Sequence, residues 1–133
     1  MKIAALCALI LSGLAAANLP AQELVVIVNP AAKPISKAEV ADLFLGRIGG
    51  LTPIDQTVGS AIYLEFYRKA TGRDLAQVKA IWSRILFTGR GLPPKQLPDS
   101  AAVKQAVAAD PKAVGYIEKS AVDASVKVAV PID

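Results

Sequence analysis

The run "ELVVIVNP", Glu23 to Pro30, limits what this chain can become. From Leu24 to Val28 no residue is polar, and an unbroken apolar run of that length bounded by Asn-Pro reads as a buried strand stopped by a turn. A buried strand needs a sheet around it and other elements to cover that sheet. The remainder of the chain supplies them as alternating helix and strand signals.

"ISKAEVADLFLG" follows the strand. Ser36 with Glu39 three residues on makes a capping box, Val40, Leu43 and Phe44 form an apolar face, and Gly46 is placed to end the helix. "RIGG" is a turn and "LTPID" a short strand. A helix is predicted over about Ser60–Thr71, with Ile62, Phe66 and Ala70 on one face and Gly72 as its stop. Another is predicted over about Asp74–Phe87, with Leu75, Val78, Trp82 and Ile85 at helical spacing. "TGRGLPPKQLPDS" carries three prolines and two glycines and reads as a loop. Ser100 is expected to cap a short helix bearing Val103, Ala106 and Val107. Val114–Glu118 and "SVKVAVPID" read as the closing strands. There is no internal repeat. The fold class is α/β: one domain built on a mixed sheet flanked by helices, with the first and last strands near each other.

The N-terminus reads differently. "MKIAALCALILSGLAAANLPA" has a lysine, a short apolar run and then small residues, the layout of a secretory signal peptide. Cleavage after Ala17 and after Ala21 both fit, and an uncleaved anchor is the alternative. The expected division is a leader over 1–21 and a single domain over 22–133, with a periplasmic or secreted location. The only cysteine, Cys7, lies in that leader, and the chain has no histidine. Ser-His-Asp and Cys-His catalysis are therefore excluded, a zinc site lacks its usual ligands, and no phosphate-loop or dinucleotide fingerprint occurs. No cofactor or metal is called for, and the expectation is a protein that is not an enzyme. Glu39 and Asp42 share a helix face, but the capping box accounts for Glu39. The net charge of +4 is scattered rather than striped, which does not point to nucleic acid.

Two spots bear on binding. "IDQTVGSAIYLEF", Ile54 to Phe66, reads as a strand end, a polar loop and a helix start, a shape that can seat an anion on free backbone N–H groups. No Arg or Lys lies between Arg47 and Arg68. In "FTGRG", Arg90 sits between two glycines, and arginine is the side chain best suited to bidentate oxyanion contacts. Trp82 and Phe66 read as core residues, with Tyr63 and Tyr67 beside that face and partly exposed. Arg68, Lys69 and Arg73 at a helix end suit the helix dipole.

The ordered motifs resemble those of the phosphate-type periplasmic substrate-binding proteins of ABC transporters. "LVVIVNPAAKPISKAEVADLFLGRI" is similar to the segment where that family's chain crosses into its second lobe. "IDQTVGSAIYLEF" falls where the family has a Ser-Gly-Thr phosphate loop and the helix after it. "DPKAVGYIEKSAVDASVKVAVPID" is similar to its closing strands. The resemblance implies one lobe of a class II periplasmic binding protein fold. It further implies an exported binding module for phosphate or a similar oxyanion, with a membrane transporter or other periplasmic protein as partner. Ligand contacts would come from Thr57, Gly59, Ser60 and Ala61, with Arg90 adding charge if its loop folds back. Asp55 stands near the place of a family arginine and is expected to repel phosphate, and Ala61 replaces a threonine hydroxyl. A single lobe buries an anion only when a partner or a second copy of the chain covers it, which makes a homodimer attractive. The alternative is an accessory interaction module that kept the fold and lost the ligand.

Overall fold

The computed structural model describes residues 23–133; the leader read from 1–21 lies outside them. Five strands form one mixed sheet in the order β3-β2-β4-β1-β5. They are β1 (Leu24–Val28), β2 (Thr52–Asp55), β3 (Lys95–Gln96), β4 (Ala113–Glu118) and β5 (Lys127–Ile132). The helices are α1 (Lys37–Phe44), α2 (Ala61–Thr71), α3 (Leu75–Phe87) and α4 (Ser100–Ala109), and a short 3-10 turn covers Lys119–Ala121. β1 pairs antiparallel with β4 on one side and with β5 on the other, so the first and last described strands are neighbours as expected. β2 runs parallel to both β4 and β3.

The apolar run is explained by its position. β1 lies inside the sheet, and its side chains alternate between two cores. Leu24, Val26 and Val28 pack with Phe44, Phe66, Tyr67, Trp82 and Tyr116 beneath the helices α1, α2 and α3. Val25 and Ile27 pack on the opposite face with Ile54, Ile117 and the α4 residues Val103 and Val107. Asn29 then secures the turn. Its Nδ2 donates to the carbonyls of Val107 and Ala108 at the end of α4, and its Oδ1 accepts from Ala31 N–H. The Asn-Pro step is thus a structural joint between β1 and α4.

α1 has the predicted capping box between Ser36 and Glu39. α2 ends at Gly72 in the left-handed conformation, and α3 starts with an Asp74–Gln77 capping box. Three expectations need correction. The cap of α4 is Asp99, whose side chain accepts from Ala102 N–H, and Ser100 is already helical. The stretch read wholly as loop contains β3, a pair of residues that aligns beside Ile54 and Asp55. Such a strand is too short for periodicity to reveal. Finally, Tyr63 and Tyr67 are buried, at 3% and 1% exposure. The inward face of α2 is Tyr63, Phe66, Tyr67 and Ala70, the i, i+3, i+4, i+7 stripe, with Ile62 only half-buried at its margin.

Candidate functional site

The loop between β2 and α2 is built by a tight turn and a helix cap. Ser60 N–H donates to Thr57 O at 3.0 Å, and Gly59 supplies the positive φ of 82° that this turn requires. Ser60 is the N-cap of α2; its Oγ accepts from Tyr63 N–H at 3.4 Å. Val58 N–H donates to the side chain of Gln96 on β3 at 3.2 Å. The N–H groups of Thr57, Gly59, Ala61 and Ile62 find no hydrogen-bond partner among the described residues. The first amides of a helix are left over by its geometry, and they carry the positive end of its dipole. Thr57, Gly59, Ser60 and Ala61 therefore sit together on one turn.

Asp55 does not face this turn. It is 3% exposed and points into the aromatic core beneath α2. Tyr67 Oη donates to its Oδ2 at 2.9 Å, and Tyr116 Oη donates to its Oδ1 at 3.0 Å. The carboxyl is pushed up to about 7, because burial penalises its charge more than the two phenol hydrogen bonds favour it. Tyr63 is pushed up to about 12 by burial and by the nearby Asp55 charge. The phenols of Tyr67 and Tyr116 are raised well beyond their ordinary value, again by burial first and Asp55 second.

Next in the chain, Gln56 extends the network. Its N–H donates to Tyr116 Oη at 3.1 Å, and its Nε2 donates to Tyr116 O at 3.0 Å and Ser100 Oγ at 2.9 Å. Ser100 Oγ in turn donates to Glu118. Strands β2 and β4 and helices α2 and α4 are thereby joined by polar contacts at the end of β2. The aromatic core around them is tight: Phe66 stacks on Tyr116 with ring centres 3.8 Å apart and an interplanar angle of 4°. No sequence pattern pointed to Tyr116 as a partner of Asp55, since 61 residues separate them.

Beside the loop, Asp55, Val58, Tyr63, Lys79, Trp82 and Gln96 line a hollow of about 380 Å³ between α2, α3 and β3. Lys79 supplies it with a cation. Arg90 lies elsewhere. Its N–H donates to Ile85 O at the end of α3, and its side chain lines a separate groove with Arg47 and Arg84. Among the described residues, no group of three or more His, Cys, Asp or Glu side chains is placed to hold a metal ion.

No protein-family model matches the sequence, and no curated protein matches it. Solved structures do resemble the fold. An ABC-type phosphate transport receptor from Vibrio cholerae superposes with a TM-score of 0.61 at 18% identity, covering 80% of this chain and 45% of the receptor. A Clostridium perfringens protein assigned as a phosphate ABC transporter substrate-binding protein, solved with bound phosphate, gives 0.62 at 18% identity, covering 80% and 44%. PstS from Borrelia burgdorferi gives 0.52 at 16% identity, covering 74% and 41%. The chain spans less than half the length of each, so what it shares with them is the fold of one lobe. These neighbours are transport receptors and binding proteins rather than enzymes.

Proposed function

We propose that this chain is a non-enzymatic binding domain of the phosphate-transport type, which seats phosphate or another small oxyanion on the turn from Thr57 to Ala61. The observation that carries the reading is the group of unpaired N–H donors at Thr57, Gly59, Ala61 and Ile62, at the positive end of α2. The Thr57 and Ser60 hydroxyls are the side-chain donors on the same turn. Asp55 was the strongest argument against an anion here. Its carboxyl is held by Tyr67 and Tyr116 and is pushed up to about 7 by burial, so below that pH it is mostly uncharged and does not repel an anion. The likeness to receptors of which one holds phosphate supports the choice of ligand. Export after removal of a leader over 1–21, a mature domain over 22–133 and work beside a membrane transporter belong to the same reading. Arg90 is left out of the site because it lines another groove.

Calorimetric titration with phosphate and with sulfate, at millimolar ligand and low salt, tests this. Saturable heat is expected, together with a rise in thermal stability of about 2.7 kcal/mol at 100 times the dissociation constant. Absence of heat with both anions overturns it.

A second reading, an accessory interaction module, is favoured by one observation: Phe87 at the end of α3 and Leu92 on the loop after it stand 94% and 80% exposed. Single exposed apolar side chains are ordinary, whereas several close together in the chain, here with Leu86 at 46%, can form the kind of apolar patch that marks a contact surface.

A further inference from the structure

α1 and α3 meet at Gly46, which follows the last turn of α1 with φ of 72°. A Cβ there would lie 2.5 Å from Ile85 Cδ1 and 3.0 Å from Trp82 Cη2, so glycine, which also suits the positive φ, lets the two helices approach without displacing those side chains. The contact places Arg47, just past α1, on the same groove as Arg84 and Arg90 from the far end of α3. The groove measures about 490 Å³; its other walls are Leu45, Gly46, Ile81 and Ile85, and no carboxylate among the described residues lines it.

These cations are not needed to finish the helix. Three of the last four carbonyls of α3 are already taken: Thr88 Oγ1 donates to Arg84 O and Ile85 O, Gly89 N–H to Leu86 O, and Arg90 N–H to Ile85 O. Arg47 reaches Asp42 at 3.4 Å with both side chains largely in solvent, a pair of little net strength. Arg84 and Arg90 form no side-chain hydrogen bond or ion pair among the described residues. Adjoining them on the same helix end and loop are Leu86, Phe87 and Leu92, exposed by 46%, 94% and 80%.

We infer that this groove and the neighbouring Phe87–Leu92 ridge form a docking surface for an acidic segment of another protein. Its carboxylates would pair with Arg47, Arg84 and Arg90 around an apolar side chain seated over Leu45, Ile81 and Ile85. Charge complementarity selects the partner: two guanidinium groups without an acid partner among the described residues, and a third held only by the weak surface pair with Asp42, suit bidentate carboxylate pairing. The concave apolar floor selects a protruding side chain over a flat lipid surface. Arginine is among the residues over-represented where protein contacts carry most of their energy. The surface is separate from the turn at Thr57–Ala61, so the two can fail independently.

The test uses the full chain and a fluorescein-labelled synthetic peptide alternating glutamate pairs with leucine, followed by anisotropy at low salt. The expected result is saturable binding that weakens on the order of tenfold or more in Arg84→Glu/Arg90→Glu and in Phe87→Ser, with the cooperative unfolding transition retained and only the small loss of stability expected from reversing a charge at the end of α3. Ala61→Pro is expected to keep peptide binding whatever it does to phosphate. A lysine-for-glutamate peptide should not bind. No binding of the acidic peptide, or binding unaltered by these variants, overturns the inference. So does cosedimentation with anionic phosphatidylglycerol vesicles in place of peptide binding, or displacement of the peptide by millimolar inorganic phosphate.

Discussion

Tyr67 on α2 holds Asp55 at the end of β2 through a 2.9 Å hydrogen bond from its phenol. The contact fixes the direction of the carboxyl that immediately precedes the candidate anion turn in the chain. With Tyr116 on the other oxygen, Asp55 becomes part of the aromatic core and the turn is left with backbone donors facing out. An arginine introduced at this position would have to displace the buried Asp55 contacts to Tyr67 and Tyr116, so it would test core packing before anion affinity.

The carboxyl of Asp55 makes stability depend on pH in an unusual sense. Its folded value of about 7 exceeds the ordinary unfolded value of about 4, so the folded state holds the proton more tightly. The contribution is fully present below about pH 4, falls as pH rises through the window to about 7, and is lost above it. The whole shift corresponds to on the order of 4 kcal/mol. Urea unfolding at pH 5 and pH 8 should show the chain weaker at pH 8. Asp55→Asn, which cannot ionise but still accepts and donates hydrogen bonds, should remove most of that difference. An equal pH dependence in the variant would assign the effect to other groups.

Gly115 on β4 allows α4 to lie close against the sheet. A Cβ at this position would stand 2.5 Å from Val103 Cγ1 and 3.2 Å from Val107 Cγ2, two side chains that are fully buried. Gly115→Ala should therefore destabilise by about 1–3 kcal/mol through overpacking. Adding Val103→Ala should recover part of the loss by opening space for the new methyl. Chemical denaturation of the single and double variants measures both, and additive losses would contradict the assigned clash.

The sequence made some elements plain and could not show others. β1 was legible because five apolar residues in succession permit little else, and α1 because Ser36 and Glu39 announce its start. Tyr63 and Tyr67 were harder: tyrosine tolerates both water and the interior, and its burial here depends on Asp55 and on neighbours remote in the chain. The buried network of Asp55, Gln56, Ser100 and Tyr116 joins residues 44 to 61 positions apart, which no local pattern encodes. The turn at Thr57–Ala61 was visible through its glycine and serine. That Gln96 occupies the Val58 amide was not, because β3 is too short to announce itself.

The start of α4 separates capping from networking. Asp99 accepts from Ala102 N–H at 2.8 Å as the cap, whereas Ser100 Oγ accepts from Gln56 Nε2. Asp99→Ala should cost about 1 kcal/mol, the usual loss of a cap. Ser100→Ala leaves that cap intact and removes an acceptor from the buried Gln56 side chain, at a cost of about 1–3 kcal/mol. Only Ser100→Ala should speed amide exchange of Gln56 N–H, which lies on the network; faster exchange in both variants would mean that the two residues act as one unit.

Ala61 offers the most direct probe of the anion turn. It is the first helical residue after the Ser60 cap, the one helix position where proline is well accepted, since its N–H has no partner inside the helix. Ser60 already has the extended backbone, with ψ of 157°, that a following proline demands. Ala61→Pro should therefore leave thermal stability within about 0.5 kcal/mol of the parent while deleting one of the free donors. If phosphate rests on these amides, its affinity should fall on the order of tenfold, the loss expected for a charge-assisted hydrogen bond of about 1.5–3 kcal/mol. Ala61→Thr, which keeps the N–H and adds a hydroxyl, should hold or raise the affinity. Calorimetry on the pair decides the matter: equal phosphate binding by both variants would place the anion away from the start of α2.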